Sequence, residues 1–441
     1  MRDPSATLHF EKERVVRSLK VPSGSDQFLR SALAKEWVSR GDLIPYEFID
    51  AQRLSSPRYE FVSYPYEWSD RQHHEAAQLT LRMQREANEA GFDLKDASAW
   101  NVIFDGTRPV FCDLTSLEPL RDRTWWAAGQ FARHFIFPRL LSRHAGLEIH
   151  HSFACWRDGV PVGPVRQVLG WRRFLTRYMP MLAAESSSPA ATQSSAGAGS
   201  LREFRAGLNA WMAWALRGVA PRESEPRSGP WADYVEQRDH YAPADVELKR
   251  ETVRNWLARI RPAKVLDLGC NSGEFSEMAV ELGARVVAVD GDAQAIDRLV
   301  RRWQHQSAIH PVIATLDDLV AGRGWSGMEY EGLVGRLTGK TDLVLMLALI
   351  HHLTIGASVP IEHVARWVTQ LDTRWLIVEC LGPDDAQVQS LCSHRRRDPA
   401  EFTLQAQLDA FGDQGWRLEA RCDLIGGHRR LCLFERIEAG S

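Results

Sequence analysis

Asp267, Gly269, Asn271 and Gly273 carry the clearest chemical signal in the chain. They lie in Val265-Leu266-Asp267-Leu268-Gly269-Cys270-Asn271-Ser272-Gly273-Glu274-Phe275, an apolar run, a glycine turn and the start of a helix. Phe275, Met278, Ala279 and Leu282 follow at i, i+3, i+4 and i+7, and Gly283 stands where a left-handed residue would stop that helix. Val286 to Val289 form a second apolar run that ends on Asp290, 21 positions after Gly269. Strand, glycine turn, helix, strand and acid make up the layout of a nucleoside or dinucleotide site in an open α/β sheet. A dinucleotide fingerprint would place a third glycine where Asn271 stands. A carboxylate two residues before the first glycine would repel a pyrophosphate, yet it accepts hydrogen bonds from an ammonium group. The chemistry points to a cationic nucleoside cofactor.

Asp-x-Gly-x-x-x-Gly opening on a helix resembles the loop of class I S-adenosylmethionine methyltransferases. The resemblance implies S-adenosyl-L-methionine as cofactor, with Asp267 facing the methionine ammonium and Asp290 taking the ribose hydroxyls. It also implies that Asp317, after the third strand, accepts from the adenine amine. Ala348-Leu349-Ile350-His351-His352-Leu353 resembles the motif that such enzymes place after the fourth strand, beside the transferred methyl. If the acceptor is a hydroxyl, His351 or His352 is the candidate base, the alternative being packing against adenine or a helix cap. Glu379, ending the fifth strand, is a second candidate because the carboxyl ends of strands face the site in this architecture.

Another constellation precedes it. Val102 to Phe104 and Val110 to Cys112 flank an Asp105-Gly106 turn, so a hairpin carries Asp96 and Asn101 before it and Asp113 at its end. This spacing resembles a protein-kinase catalytic loop, in which the first Asp positions a hydroxyl and the Asn and second Asp hold magnesium. The chain departs from that pattern at Lys95 and at Leu114-Thr115, and no Gly-rich loop lies upstream. These departures favour hairpin-end caps in a relic of the fold over phosphotransfer. The pairs His73-His74 and His150-His151 are read as surface or core histidines, with no metal site expected, because adjacent helical residues diverge.

The elements that must position these residues read as two domains. A helix-like segment spans Asp26 to Arg40, strand-like pieces Arg14 to Leu19 and Tyr59 to Ser63, and an amphipathic helix Asp70 to Gly91. Residues 1–182 are expected to form a smaller α+β, partly kinase-like domain, and 183–230 a flexible linker with one helix. Residues 231–441 alternate strand and helix in the manner of a doubly wound α/β fold, with a class I methyltransferase Rossmann-like sheet. Tyr234, His240 and Tyr241 are placed to form a lid. Tyr64 to Trp68, Leu94 to Asn101, Pro109 to Asp113, Val265 to Ser276 and Leu345 to Leu353 together resemble a bacterial methyltransferase family related to a host-specific nodulation protein. That resemblance spans nearly the full length and implies methyl transfer without naming the acceptor.

Composition sets the outer limits. The chain has 441 residues, 44% of them hydrophobic and 25% charged, and a net charge of −3, so it has no overall bias toward nucleic acid or anionic membrane. No leader is seen, and no apolar run is long enough to span a bilayer, so a cytoplasmic protein without a membrane partner is expected. The seven cysteines lack a CxxC pair and predict neither a disulfide framework nor zinc. The leading expectation is methyl transfer to a polar small molecule or glycan, with no oligomeric state implied. The alternatives are an RNA methyltransferase, for which His394-Arg395-Arg396-Arg397 with Arg429-Arg430 would be the basic face, and a bifunctional chain whose first domain binds ATP.

Overall fold

Runs such as Leu343 to Met346 have no polar alternation, which suits strands buried on both faces. The computed structural model describes residues 6–20, 25–183, 198–221, 243–319 and 321–437 and places this run, fully buried, in the middle of a seven-stranded sheet. The chain divides into two compact units, Met1–Ser224 and Glu225–Ser441.

In the first unit β1 (Ala6–Phe10), β2 (Arg14–Leu19), β3 (Glu47–Phe48) and β4 (Arg53–Pro57) form an antiparallel sheet in the order β1-β2-β4-β3. The strand expected at Tyr59 to Ser63 lies earlier, at β4, where Leu54 enters the core and the register with β2 is set. The helix expected over Asp26 to Arg40 is two helices, Ser25–Leu29 and Ala32–Arg40, because Ser31 caps the second by accepting from the Ala34 N–H. The long helix Asp70–Glu89 begins with a capping box between Ser69 and Gln72. β5 (Phe92–Leu94) pairs with β8 (Leu117–Pro119), and β6 (Val102–Asp105) with β7 (Arg108–Phe111), so the expected hairpin forms at Asp105-Gly106.

The helix Ala198–Gly218, which the sequence placed in a linker, belongs to this first unit. Arg205, fully buried, pairs with Asp93, and Asn209 Nδ2 donates to Asn88 Oδ1 at 2.9 Å. Gln84 and Asn88 also donate to Asp93, so a buried polar cluster binds this helix to Asp70–Glu89.

In the second unit β9 (Lys264–Leu268), β10 (Arg285–Asp290), β11 (Ile309–Ile313), β12 (Leu343–Met346), β13 (Trp375–Leu381), β14 (Trp416–Asp423) and β15 (Arg429–Arg436) make one sheet in the order β11-β10-β9-β12-β13-β15-β14. The first five strands run parallel and β15 is antiparallel to both neighbours. After β9 the chain winds outward through β10 to β11, then returns to place β12 on the other side of β9. Connections therefore leave in opposite directions between β9 and β12, opening a crevice at their carboxyl ends. Asp267, the glycine turn and Ala348 all fall at that edge. Among the described residues no helix is long and apolar enough to cross a membrane. Residues 222–242, including Tyr234, His240 and Tyr241, lie outside the described residues.

Candidate active site

The turn after β9 depends on local backbone chemistry. Gly269 (φ 73°) and Gly273 (φ 89°) occupy the left-handed region, and a Cβ on Gly273 would come within 2.5 Å of Leu299 Cδ1. Asn271 also takes a left-handed conformation (φ 48°), and its side-chain oxygen accepts from the Ser272 N–H at 2.6 Å. Asparagine tolerates this conformation where most residues do not, so Asn271 shapes the loop. The Gly269 and Cys270 N–H groups both donate to the Val289 carbonyl, tying the turn to β10.

Asp290 secures the same turn from the next strand. Its Oδ2 accepts from the Asn271 N–H at 2.7 Å and its Oδ1 from the Asp292 N–H at 2.8 Å. Burial raises its pKa, against the pull of these N–H donors. Each carboxylate oxygen has a further lone-pair direction, so bidentate acceptance from a diol is compatible with both bonds. Asp317 lies in the exposed turn after β11. The Ala314 N–H beside that turn donates to the Asp290 carbonyl at 3.0 Å, which keeps the ends of β10 and β11 together.

Asp267 is 2% exposed and accepts from Ser276 Oγ at 2.6 Å. Burial pushes its pKa up to about 7; the Ser276 hydrogen bond opposes the rise and the Asp290 charge adds to it. A buried carboxylate destabilised in this way gains from a cation more than an exposed one does. The residues therefore fit an ammonium-bearing nucleoside: a buried carboxylate whose pKa stays raised despite the Lys249 charge, a backbone turn kept clear by two glycines, and an acid at the end of the next strand. Sequence reasoning missed Ser276. Its place in the first turn of the helix Glu274–Glu281, facing back over β9, was the available signal.

The loop after β12 meets this turn. Ala348 takes a left-handed conformation (φ 52°) that costs a non-glycine residue about 1–3 kcal/mol and reverses the chain sharply. Leu349 then packs over the glycine turn, its Cδ1 3.2 Å from where a Gly269 Cβ would stand. His352–Gly356 forms a π-helical turn, a wide helical geometry that often marks functional sites. His351 is buried and His352 half-buried, their ring centroids 4.0 Å apart. The structure thus brings Leu349 of this loop against Gly269.

Glu379, expected at the end of the fifth strand, is fully buried within β13, which continues through Leu381. Its Oε2 lies 2.6 Å from Lys249 Nζ and its Oε1 3.4 Å from Arg429 Nη1, while Arg429 also donates to Asp385 through Nε and Nη2. Lys249 stands over the Phe275 ring at 5.3 Å. Glu379 is therefore an anion of a four-residue network whose members come from distant parts of the chain. No local pattern marks Lys249 or Arg429 as its partners.

In the first unit Asp96, Asn101 and Asp113 also come together. Asn101 Nδ2 lies 3.3 Å from both the Asp96 carbonyl and Ser116 Oγ, and Ser116 Oγ donates to Asp113. Asp113 is paired with Arg17 of β2, whose guanidinium also reaches the Cys112 carbonyl and Thr115. Burial alone would raise the Asp113 pKa, but Arg17 and the Ser116 and Thr115 hydrogen bonds outweigh it and hold it low. Burial and the nearby Asp113 charge raise that of Asp96. Where a magnesium-binding carboxylate would face an ion, this one faces a protein cation. His73 is a core histidine, with Nε2 2.8 Å from the His134 carbonyl and Nδ1 3.3 Å from Arg139.

Residues 234–386 match the model of a methyltransferase domain family. Over its whole length the chain is similar to the nodulation protein NoeA of Rhizobium meliloti (strain 1021), with 28% identity over 461 aligned residues covering 99% of this chain and 95% of that one. Among solved structures it is similar to the N-methyltransferase NodS from Bradyrhizobium japonicum WM9 in complex with S-adenosyl-l-homocysteine (13% identity, TM-score 0.34, 46% of this chain and 92% of that one). It is also similar to WbdD (19% identity, TM-score 0.33, 48% of this chain and 43% of that one). The described sheet order and the Asp267 turn are those of a class I Rossmann-like fold, the match to a methyltransferase domain model falls in this second unit, and the cofactor is S-adenosyl-L-methionine.

Proposed function

We propose that the chain methylates a polar small molecule or glycan, with the acceptor held by the loop after β12. The observation that supports this reading is the meeting of Leu349, next to the strained Ala348 turn, with the glycine turn after β9, His351 and His352 following two and three residues later in the chain. The cofactor, when bound, supplies an electrophilic methyl for in-line displacement. The chain's own task is to orient the acceptor, exclude water and take up a proton. The half-buried His352 is suited to the last of these, having an imidazole's intrinsic basicity and a less enclosed position than His351.

A small acceptor is favoured over RNA by how the C-terminal arginines are used. Arg397 donates to the Thr354 carbonyl at 3.0 Å and pairs with Glu401, and Arg395 donates to the Gly356 carbonyl. Arg429 is buried with Asp385, and Arg430 pairs with Asp423. These cations brace the π-helical turn and the sheet edge. An RNA-binding face needs arginines directed at phosphates.

Incubation of the protein with methyl-labelled cofactor and a fractionated cell extract is expected to place label in small polar or glycan fractions that resist protease and ribonuclease. Label confined to RNA would sink the proposal. With the acceptor in hand, His352→Gln is expected to lower turnover by about 10²–10⁴-fold. Retained affinity for S-adenosylhomocysteine would show that the cofactor site is intact.

The same reading gives Asp96, Asn101 and Asp113 a structural role. It is supported by the Arg17 guanidinium, which stands against Asp113. The full-length protein is expected to show no magnesium-dependent binding of a fluorescent ATP analogue. Saturable binding abolished by chelation would overturn this part and leave the methyltransferase reading intact.

A further inference from the structure

At the start of the helix Ile149–Cys155, which follows the helix Phe137–Ala145, the chain brings three metal-ligating side chains together. Glu148 precedes the second helix with extended backbone (φ −60°, ψ 145°), and this turns its carboxylate back toward His150 and His151. Its Oε2 lies 3.6 Å from His150 Nε2 and 3.9 Å from His151 Nδ1, and the two imidazole centroids are 4.1 Å apart. One donor atom from each of the three residues lies within 4.8 Å of the others. These separations are too long for hydrogen bonds, so the three groups converge without bonding one another.

Around a tetrahedral zinc with bonds of about 2.0–2.1 Å, donor atoms stand roughly 3.4 Å apart, so small rotamer changes would close the observed spacing. The backbone beneath the ligands is held, since Ile149 and Phe153 on the same helix are buried in the core of the unit. The His150 side chain is 12% accessible, against 55% for His151 and 50% for Glu148. One ligand is thus anchored and two are open to solvent, which provides a path for an ion to enter.

We propose that Glu148, His150 and His151 form a site for a divalent transition-metal ion of the zinc type, with three protein ligands and a remaining position for water. Two imidazoles and one carboxylate select zinc, nickel or copper over magnesium and calcium, which prefer all-oxygen shells. The sequence pair alone offered two histidines that a helix points apart. The third ligand appears only when the turn before the helix folds Glu148 over them.

The test is calorimetric titration of chelator-treated full-length protein with zinc chloride and, in parallel, magnesium chloride. The wild type is compared with Glu148→Gln, His151→Ala and the double variant. Both substituted side chains are half exposed, and far-ultraviolet circular dichroism checks that the variants stay folded. A zinc-binding event is expected that is tighter than any for magnesium, weakened about tenfold or more by each single change and absent from the double variant. If cobalt replaces zinc, its tetrahedral absorption should disappear with the same substitutions. Zinc binding of equal affinity and stoichiometry in wild type and double variant would overturn the proposal, as would wild-type zinc binding no tighter than that of magnesium.

Discussion

Asp267→Asn is expected to weaken binding of S-adenosylhomocysteine by about 10–100-fold at pH 8, the loss that follows removal of one charge-assisted hydrogen bond of about 1.5–3 kcal/mol. The wild-type protein should also lose affinity as the pH falls through about 7, because Asp267 then takes up a proton and ceases to be an anion. The variant should lack that part of the pH dependence. Stability is expected to move the other way. In the folded chain burial raises the Asp267 pKa from 3.8 to about 7, so the native state binds the proton more tightly than the unfolded state. Native stability is therefore lost as the pH rises between these values and stays lost above them. Removing the charge returns that stability, with about 4 kcal/mol as the upper bound from a shift of roughly three units. Calorimetric affinity and melting temperature, measured from pH 5.5 to 8.5, check both halves. An Asn variant that binds as tightly as wild type at pH 8 would falsify the ammonium role.

Arg429→Met should have the larger structural cost. Arg429 is 4% exposed and faces both Glu379 and Asp385, so its removal leaves buried carboxylates with diminished compensation. Breaking a buried ion pair from one side costs about 3–5 kcal/mol. For a unit of this size that corresponds to a melting point lower by roughly 10 °C. Differential scanning calorimetry of the full chain should show the transition of the second unit moving while that of the first stays in place. The companion variant Glu379→Gln separates two roles for that residue. If Glu379 acts through the network, the variant lowers the same transition, and any loss of turnover follows the loss of folded protein. A variant that melts like wild type yet fails to turn over would instead mark Glu379 as a proton acceptor.

Different interactions were legible to different degrees. The Asp105-Gly106 hairpin, the stop at Gly283 and the turn from Gly269 to Gly273 were readable because each depends on dihedral preferences within a few residues. The β12 run was readable because burial on both faces removes polar alternation. Ser31 split the expected helix Asp26 to Arg40, a local capping signal available in the sequence but outweighed by the apolar pattern. The displacement of a strand from Tyr59–Ser63 to Arg53–Pro57 has a different cause. The later stretch reads as strand-like by itself, but pairing with β2 selected the earlier one. Strand propensity is weak against such long-range pairing.

The residues around Asp267 and the hairpin around Asp96 and Asp113 were visible in the amino-acid order, because turns and short hairpins bring near neighbours together. Their partners were not. Arg17 reaches Asp113 across 96 positions, Arg205 reaches Asp93 across 112 and Lys249 reaches Glu379 across 130. Each pairing is made by packing whole elements, and a single sequence carries no periodicity that encodes it. Local stereochemistry thus determined where a nucleoside cofactor would sit. Long-range packing decided which acids hold a protein cation, since the environment of a buried charge is set by every element folded against it.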